Sequence, residues 1–282
     1  MGKILALVDG SVYAESVSRL SAWAAARTGS TVEIAHVIGR RLSSSFDLSG
    51  SLGAEQRSTM LEEYARLDAQ HGKLAQSRGR ALLDAAKALV VTSGIVNIET
   101  RLRLGDLLQT LADLEADAEM VVIGKRGEAA DFAKLHLGSN LERVVRASAR
   151  PVLVAARTYV RPECFVIAYD GGASANRAVD YVASSGLCKG MRATVLSVGA
   201  DTIENRTRID APIARLKAAG YTVDGQLLQG EPEDVIGTHV ESQKIGLLVM
   251  GAYGHSRIRS LVIGSTTEAM VRRCKVPVLM FR

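Results

Sequence analysis

The residues best suited to chemistry in this 282-residue chain are glycines and hydroxyls. Gly251-Ala-Tyr-Gly254 is followed, after nine residues, by Gly264-Ser265-Thr266. Glycine lets a backbone approach an anion closely, and a helix opening at Ser265 would present unpaired amide donors and a favourable dipole. Ser265 and Thr266 add hydroxyls, and the loop between the glycines carries His255, Arg257 and Arg259 with no acid. That combination suits phosphate. The same Gly-Ser-Thr run also makes an ordinary helix cap, and a loop histidine is most often simply solvated. The motif therefore gains meaning from the elements that position it.

Those elements come in two copies. ILALVDGS (4–11) returns as FVIAYDGG (165–172), and MVVIGKRG (120–127) matches LVMGAYG (248–254). GSNLERVVRASARPVLV (138–154) aligns without a gap on GSTTEAMVRRCKVPVLM (264–280), with 8 identities in 17 positions. Three blocks in the same order mark a tandem duplication, with a first domain at 1–157 and a second at 158–282. Apolar runs ending in Asp or Gly read as buried strands, and helical periodicity fills the gaps between them. The first copy reads as strands near 3–8, 31–38, 96–102, 119–123 and 151–155, with helices near 13–28, 59–93, 106–116 and 139–148. The second reads as strands near 164–169, 192–198, 222–228, 246–250 and 277–281, with helices near 173–187, 203–219, 232–242 and 265–274. The expected fold class is α/β: two tandem, five-stranded, doubly wound parallel sheets of Rossmann type. A long insertion precedes the third strand of the first copy, and its Ser- and Gly-rich part, residues 42–58, is expected to be a mobile loop.

Composition narrows the function classes. Apolar residues are 47% and charged residues 23%, as in a globular protein that buries a core. The net charge of +5 divides as 20 bases to 18 acids before residue 158 and 15 to 12 after it, too dilute for a nucleic-acid footprint. Cys164, Cys188 and Cys274 form no CxxC pair, and the five histidines show no ligand spacing, so no metal site is expected. The opening MGKILALVDGS breaks its apolar run at Asp9, and no uncharged stretch is long enough to cross a bilayer. A soluble, cytoplasmic protein without membrane contact is expected. No P-loop, GxGxxG, GxSxG, HExxH or HxGH run is present, which removes the usual nucleotide-hydrolysing, dehydrogenase, hydrolase, metalloprotease and adenylyl-transfer signatures.

An apolar first strand ending in Asp, with G-x2-G-x9-G-[ST] after the fourth strand, resembles the universal stress protein (UspA-like) family over nearly the whole chain. The resemblance implies a five-stranded α/β domain whose nucleotide-binding members hold ATP with this motif. Carried over residue by residue, it places adenine at Ala168, Tyr169 and Asp170 and on Val198. It places ribose and phosphates on Gly251, Gly254, Gly264, Ser265 and Thr266, with His255 as a further phosphate contact. Asp170 also has a plain reading as a partner of the helix that follows it. The ligand implied is ATP, with AMP or ADP as alternatives and Mg2+ accompanying ATP. The resemblance further implies that the final strands, 151–155 and 277–281, pair the two domains internally. An unknown protein partner and a homodimer stay open.

The first copy departs from the pattern. Gly124-x2-Gly127 is present, but ten residues separate Gly127 from Gly138, Ser139 is followed by Asn140, and the loop carries Glu128 and Asp131. These carboxylates would repel a triphosphate. Asp9, Val37, Gly124, Gly127, Gly138 and Ser139 therefore define a weaker second site. The leading expectation is a regulatory stress-response protein that binds ATP in its second domain. The alternatives are a scaffold that binds no nucleotide, and a slow ATPase or self-phosphorylating protein using Ser265 or Thr266. No catalytic residue is assigned.

Overall fold

The computed structural model describes residues 2–39, 54–128, 138–252 and 265–282. Its first half runs β1 (Lys3–Leu7), α1 (Ala14–Thr28), β2 (Thr31–Ile38), α2 (Ala54–Thr92), β3 (Ile98–Leu104), α3 (Leu107–Leu114), β4 (Ala118–Gly124), α4 (Ser139–Ala147) and β5 (Val152–Ala155). The second half runs β6 (Cys164–Ala168), α5 (Ala173–Ser185), β7 (Arg192–Val198), α6 (Ile203–Ala218), β8 (Val223–Leu228), α7 (Pro232–Ser242), β9 (Leu247–Gly251), α8 (Ser265–Arg273) and β10 (Val278–Phe281). The order of strands and helices is the one that the sequence pattern predicts. One boundary needs correction: α2 begins at Ala54, so residues 54–58 of the expected loop are helical, and residues 42–53 lie outside the described residues. Ala-Glu-Gln-Arg is strong helix-forming sequence, and the Ser/Gly bias upstream of it masked that start.

All ten strands share one sheet in the order β3-β2-β1-β4-β5-β10-β9-β6-β7-β8. Pairing is parallel within each half and antiparallel only at the seam, where Val154, Leu153 and Val152 face Val278, Leu279 and Met280. The expected internal pairing of the final strands is thus present. Helices cover both faces, which is what near-continuous apolar strands require. Along β1, Ile4 and Ala6 join the core under α1 and α2, while Leu5 and Leu7 join the opposite core with α3 and α4. In the second half, α5 and α6 extend the first core, and α7 and α8 the second.

Both α1 and α5 stop at a glycine in the left-handed region, Gly29 at φ 69° and Gly186 at φ 71°, a conformation in which a Cβ would be strained. Arg27, in the last turn of α1, crosses between the halves and donates from Nε to the Leu187 carbonyl at 2.6 Å, with a second bond to the Lys189 carbonyl. Among the described residues no helix is long and apolar enough to cross a membrane.

Leu153 and Leu279 are both fully buried at the seam. Leu279→Ala should lower unfolding free energy by about 2–5 kcal/mol, the usual cost of a cavity in a rigid core. Urea denaturation followed by circular dichroism checks this.

Candidate functional site

Strand order reverses between β1 and β4, because α1 leaves β1 toward one face of the sheet and α4 follows β4 on the other. A crevice opens at such a point beyond the carboxyl ends of the strands. In the first half it is a cavity of about 200 Å³ lined by Asp9, Tyr13, Val37, Asp106, Gly124, Arg126, Gly127, Asn140 and Arg143, among others. Four of the six residues that the sequence assigns to the first-copy site, Asp9, Val37, Gly124 and Gly127, therefore share one cavity.

Close packing explains the glycines. A Cβ on Gly124 would lie 2.6 Å from the Tyr13 Cβ, and one on Gly127 would lie 3.0 Å from Asp9 Oδ2. A Cβ on Gly138 would lie 3.0 Å from the Arg126 Cα and 3.2 Å from the Lys125 carbonyl oxygen. The 124–127 loop thus folds directly against the N-terminus of α4, whose cap is Gly138, with Ser139 as the first helical residue. Asp9 fastens this arrangement: Oδ1 accepts from the Ser11 amide at 3.0 Å and Oδ2 from the Glu128 amide at 3.1 Å. The carboxylate holds strand end and glycine loop together.

The charges lining the site are balanced in a way that the sequence does not reveal. Arg78 of α2 forms an ion pair with Glu128, so the acid expected to repel phosphate is offset by a cation from the insertion. Asp131 lies outside the described residues. Arg143 binds Asp106 at 2.8 Å, and Asp106 also caps α3 by accepting from the Leu108 and Gln109 amides. The Arg143 bond, followed by these two amides, holds the Asp106 carboxyl below its usual range. Tyr13, Asp106, Asn140 and Arg143 were not picked from sequence as site residues. Asp106 could have been found, because Gly105-Asp106 follows β3 at the same edge; the others arrive only through folding.

The second half repeats the frame. Asp170 Oδ1 accepts from the Gly172 amide at 2.8 Å, as Asp9 does from Ser11. Ala168 ends β6 and Val198 ends β7, both half-buried, and Gly251 ends β9 so close to α5 that a Cβ would fall 2.3 Å from the Ser174 Oγ. The Tyr169 ring is in the core and its hydroxyl donates to Asn176 Oδ1 at 2.9 Å. Thr266 is half-buried in the first turn of α8, and Thr267 Oγ1 donates to the Ala252 carbonyl at 3.1 Å, tying that helix start to the end of β9. Ser265 opens α8, while Gly254, His255 and Gly264 lie outside the described residues. Ala168, Asp170, Val198, Gly251 and Thr266 thus gather at one sheet edge. Among the described residues no three His, Cys, Asp or Glu side chains gather as a metal site.

One contact links the halves at the glycine loop. Lys125, between Gly124 and Arg126, is 8% exposed, and its ammonium donates to the carbonyl of Cys274, just past the last turn of α8. A cation at a helix C-terminus complements the dipole. Burial lowers the lysine to about 8 and pushes the Cys274 thiol up to about 11, so that sulfur is a packing group and not a nucleophile. At the other end of the seam Arg282 donates to the Arg146 carbonyl, in the last turn of α4, at 2.7 Å.

An α/β protein with a glycine-lined crevice at the strand ends of its first half, and the same strand-end frame repeated in its second, is the class that this geometry defines. The universal stress protein family model matches residues 1–156 and 199–282. The chain is 34% identical to the universal stress protein Slr1230 of Synechocystis over the full length of both proteins. Its fold is similar to a universal stress protein from Archaeoglobus fulgidus, with a TM-score of 0.72 at 21% identity, covering 99% of this chain and 98% of the other. It is also similar to a putative universal stress protein from Pseudomonas aeruginosa, with a TM-score of 0.62 at 15% identity over 99% and 92% of the two chains. This chain belongs to the universal stress protein family.

The buried lysine gives a pH test. Its folded value, about 8, lies below the ordinary 10.5, so between these the unfolded chain binds more protons and the native state gains stability as pH rises. Relative to Lys125→Met, the wild type should gain up to ~1.4 kcal/mol per pH unit across that window, measured by urea denaturation at several pH values.

Proposed function

We propose that this protein is an adenine-nucleotide-binding regulator built of two domains that meet near residues 157 and 158. ATP, accompanied by Mg2+, is held in the second domain. The end of β6 (Ala168, Asp170 and the Tyr169 backbone) and Val198 take the base. Gly251, Gly254, His255, Gly264, Ser265 and Thr266 take the ribose and phosphates. What supports this reading is the crevice of the first half, where Gly124, Gly127 and Gly138 pack too tightly on Tyr13, Asp9 and Arg126 to carry a Cβ and so bring the glycine loop against the N-terminus of α4. The second half has the intact Gly-Ser-Thr form of that motif at the equivalent sheet edge.

The first cavity, at about 200 Å³, is smaller than the roughly 300–1,000 Å³ of pockets that enclose a whole ligand. It suits a base, with sugar and phosphates running out over the glycine loop, where Arg126 lines the cavity. The protein acts by occupancy: bound nucleotide alters the loop near residues 252 to 263, and a partner in a cytoplasmic stress response reads that change. No general base or nucleophile among the described site residues supports turnover faster than slow hydrolysis.

Purified protein is denatured and its released nucleotide identified by mass spectrometry and counted by absorbance. Gly264→Val should remove about one adenine nucleotide per chain, because a side chain there fills the phosphate cradle. Any second equivalent should disappear in Gly124→Val. ATP at 100 times its dissociation constant should stabilise the wild type by about 2.7 kcal/mol. Absence of released nucleotide together with an unchanged melting temperature in ATP would sink the proposal in favour of a scaffold that binds none.

A further inference from the structure

Helix α1 begins at the first crevice, which Tyr13, Ala14 and Val17 line, and runs away from it. Its later turns present Arg19, Ala22, Trp23, Ala26 and Arg27, spaced as one helical face, to another cavity of about 500 Å³. The two alanines leave room between the larger side chains. The rest of the wall comes from Tyr159 and Arg161, in the segment that joins the halves, and from Gly186 and Lys189, just past α5. The groove is thus built where the two halves meet. Its volume falls within the roughly 300–1,000 Å³ of pockets that take a small ligand.

The charge of the groove has one sign. Arg19, Arg27, Arg161 and Lys189 line it, and among the described residues no carboxylate does. Glu15 accepts from Arg19 Nε at 2.9 Å and offsets that cation, while the other three form no ion pair among the described residues. Two guanidiniums are already fixed in place: Arg19 by Glu15, and Arg27 by the carbonyls of Leu187 and Lys189, the first at 2.6 Å. Each commits only part of its five N–H donors, so the remainder can meet an anion at little cost of ordering. Arg161 and Lys189 are exposed at the rim, whereas Trp23 is buried and Tyr159 half-buried. We propose that this groove binds a small organic anion bearing two or more acidic groups, phosphate or carboxylate. Its charges meet the guanidiniums, and its carbon skeleton lies against Trp23 and Tyr159. A walled cavity lined by one sign of charge concentrates such anions. The site is separate from the crevices and stands whether or not they hold nucleotide.

Trp23 is the one tryptophan of the chain, so its emission reports on this groove. The full chain is titrated with inorganic pyrophosphate and, separately, with citrate, at constant ionic strength and without Mg2+. A saturable change in tryptophan emission is expected with at least one of them, the tighter binder naming the acid that the groove prefers. Arg161→Glu combined with Lys189→Glu should weaken that binding on the order of 10-fold or more. Both side chains are exposed, and circular dichroism should show the fold of the double variant unchanged. Gly264→Val, which alters the second crevice, should leave the titration as it is. A flat titration with both anions, confirmed by calorimetry, overturns the proposal, as does a saturable change that the double charge reversal leaves intact.

Discussion

The antiparallel pairing of β5 with β10 is the contact on which the rest of the architecture depends. Each half would otherwise end in a four-residue, fully apolar strand with one row of backbone donors and acceptors open. Such an edge recruits any strand it meets. Joining the two buries both edges and leaves β3 and β8 as the outer strands of the sheet. Those outer strands carry exposed Glu99, Arg101 and Arg103 on one and exposed Asp224 on the other, and charge of this kind discourages further pairing.

The seam also fixes where the two crevices lie. Strands are parallel within each half and reversed across the seam, so the carboxyl ends of β1 and β4 point to one edge of the sheet and those of β6 and β9 to the other. The start of α8 belongs to the second crevice, while its end arrives beside the glycine loop of the first. That end brings the negative pole of a helix into a region where an anion would be repelled. The buried Lys125 ammonium meets the Cys274 carbonyl at this point, which accounts for an otherwise costly burial of charge. The Arg282 bond to the Arg146 carbonyl does the same for the end of α4 at the opposite edge.

Strand and helix order was legible because the core strands are continuous apolar runs and because the duplication allowed each copy to check the other. The glycines of the first crevice were legible as well, since Tyr13, Asp9 and the Lys125–Arg126 backbone press so close that few other residues could fit. The contacts that tune the crevice were not. Lys125 and Cys274 are 149 residues apart, Arg78 and Glu128 are 50 apart, and no local spacing encodes either meeting. The side-chain environment of Tyr169 was equally hidden: its ring joins the core and its hydroxyl donates to Asn176 Oδ1, which leaves its backbone at the strand end.

The departures of the first copy look like damage when read along the chain, yet they meet in space. The acid Glu128 directly follows the glycine loop, and the added helix α2 delivers Arg78 to that acid. The Glu128 amide, in turn, donates to Asp9, the carboxylate that ends β1. Insertion, lengthened loop and strand end thus form one connected set of contacts, in which the charge brought by the loop is cancelled by the helix brought by the insertion. The charge at Glu128 therefore does not by itself disqualify the first crevice. The absence of a cap hydroxyl after Ser139 is likewise met by Asn140, whose amide lines the cavity and can both donate and accept.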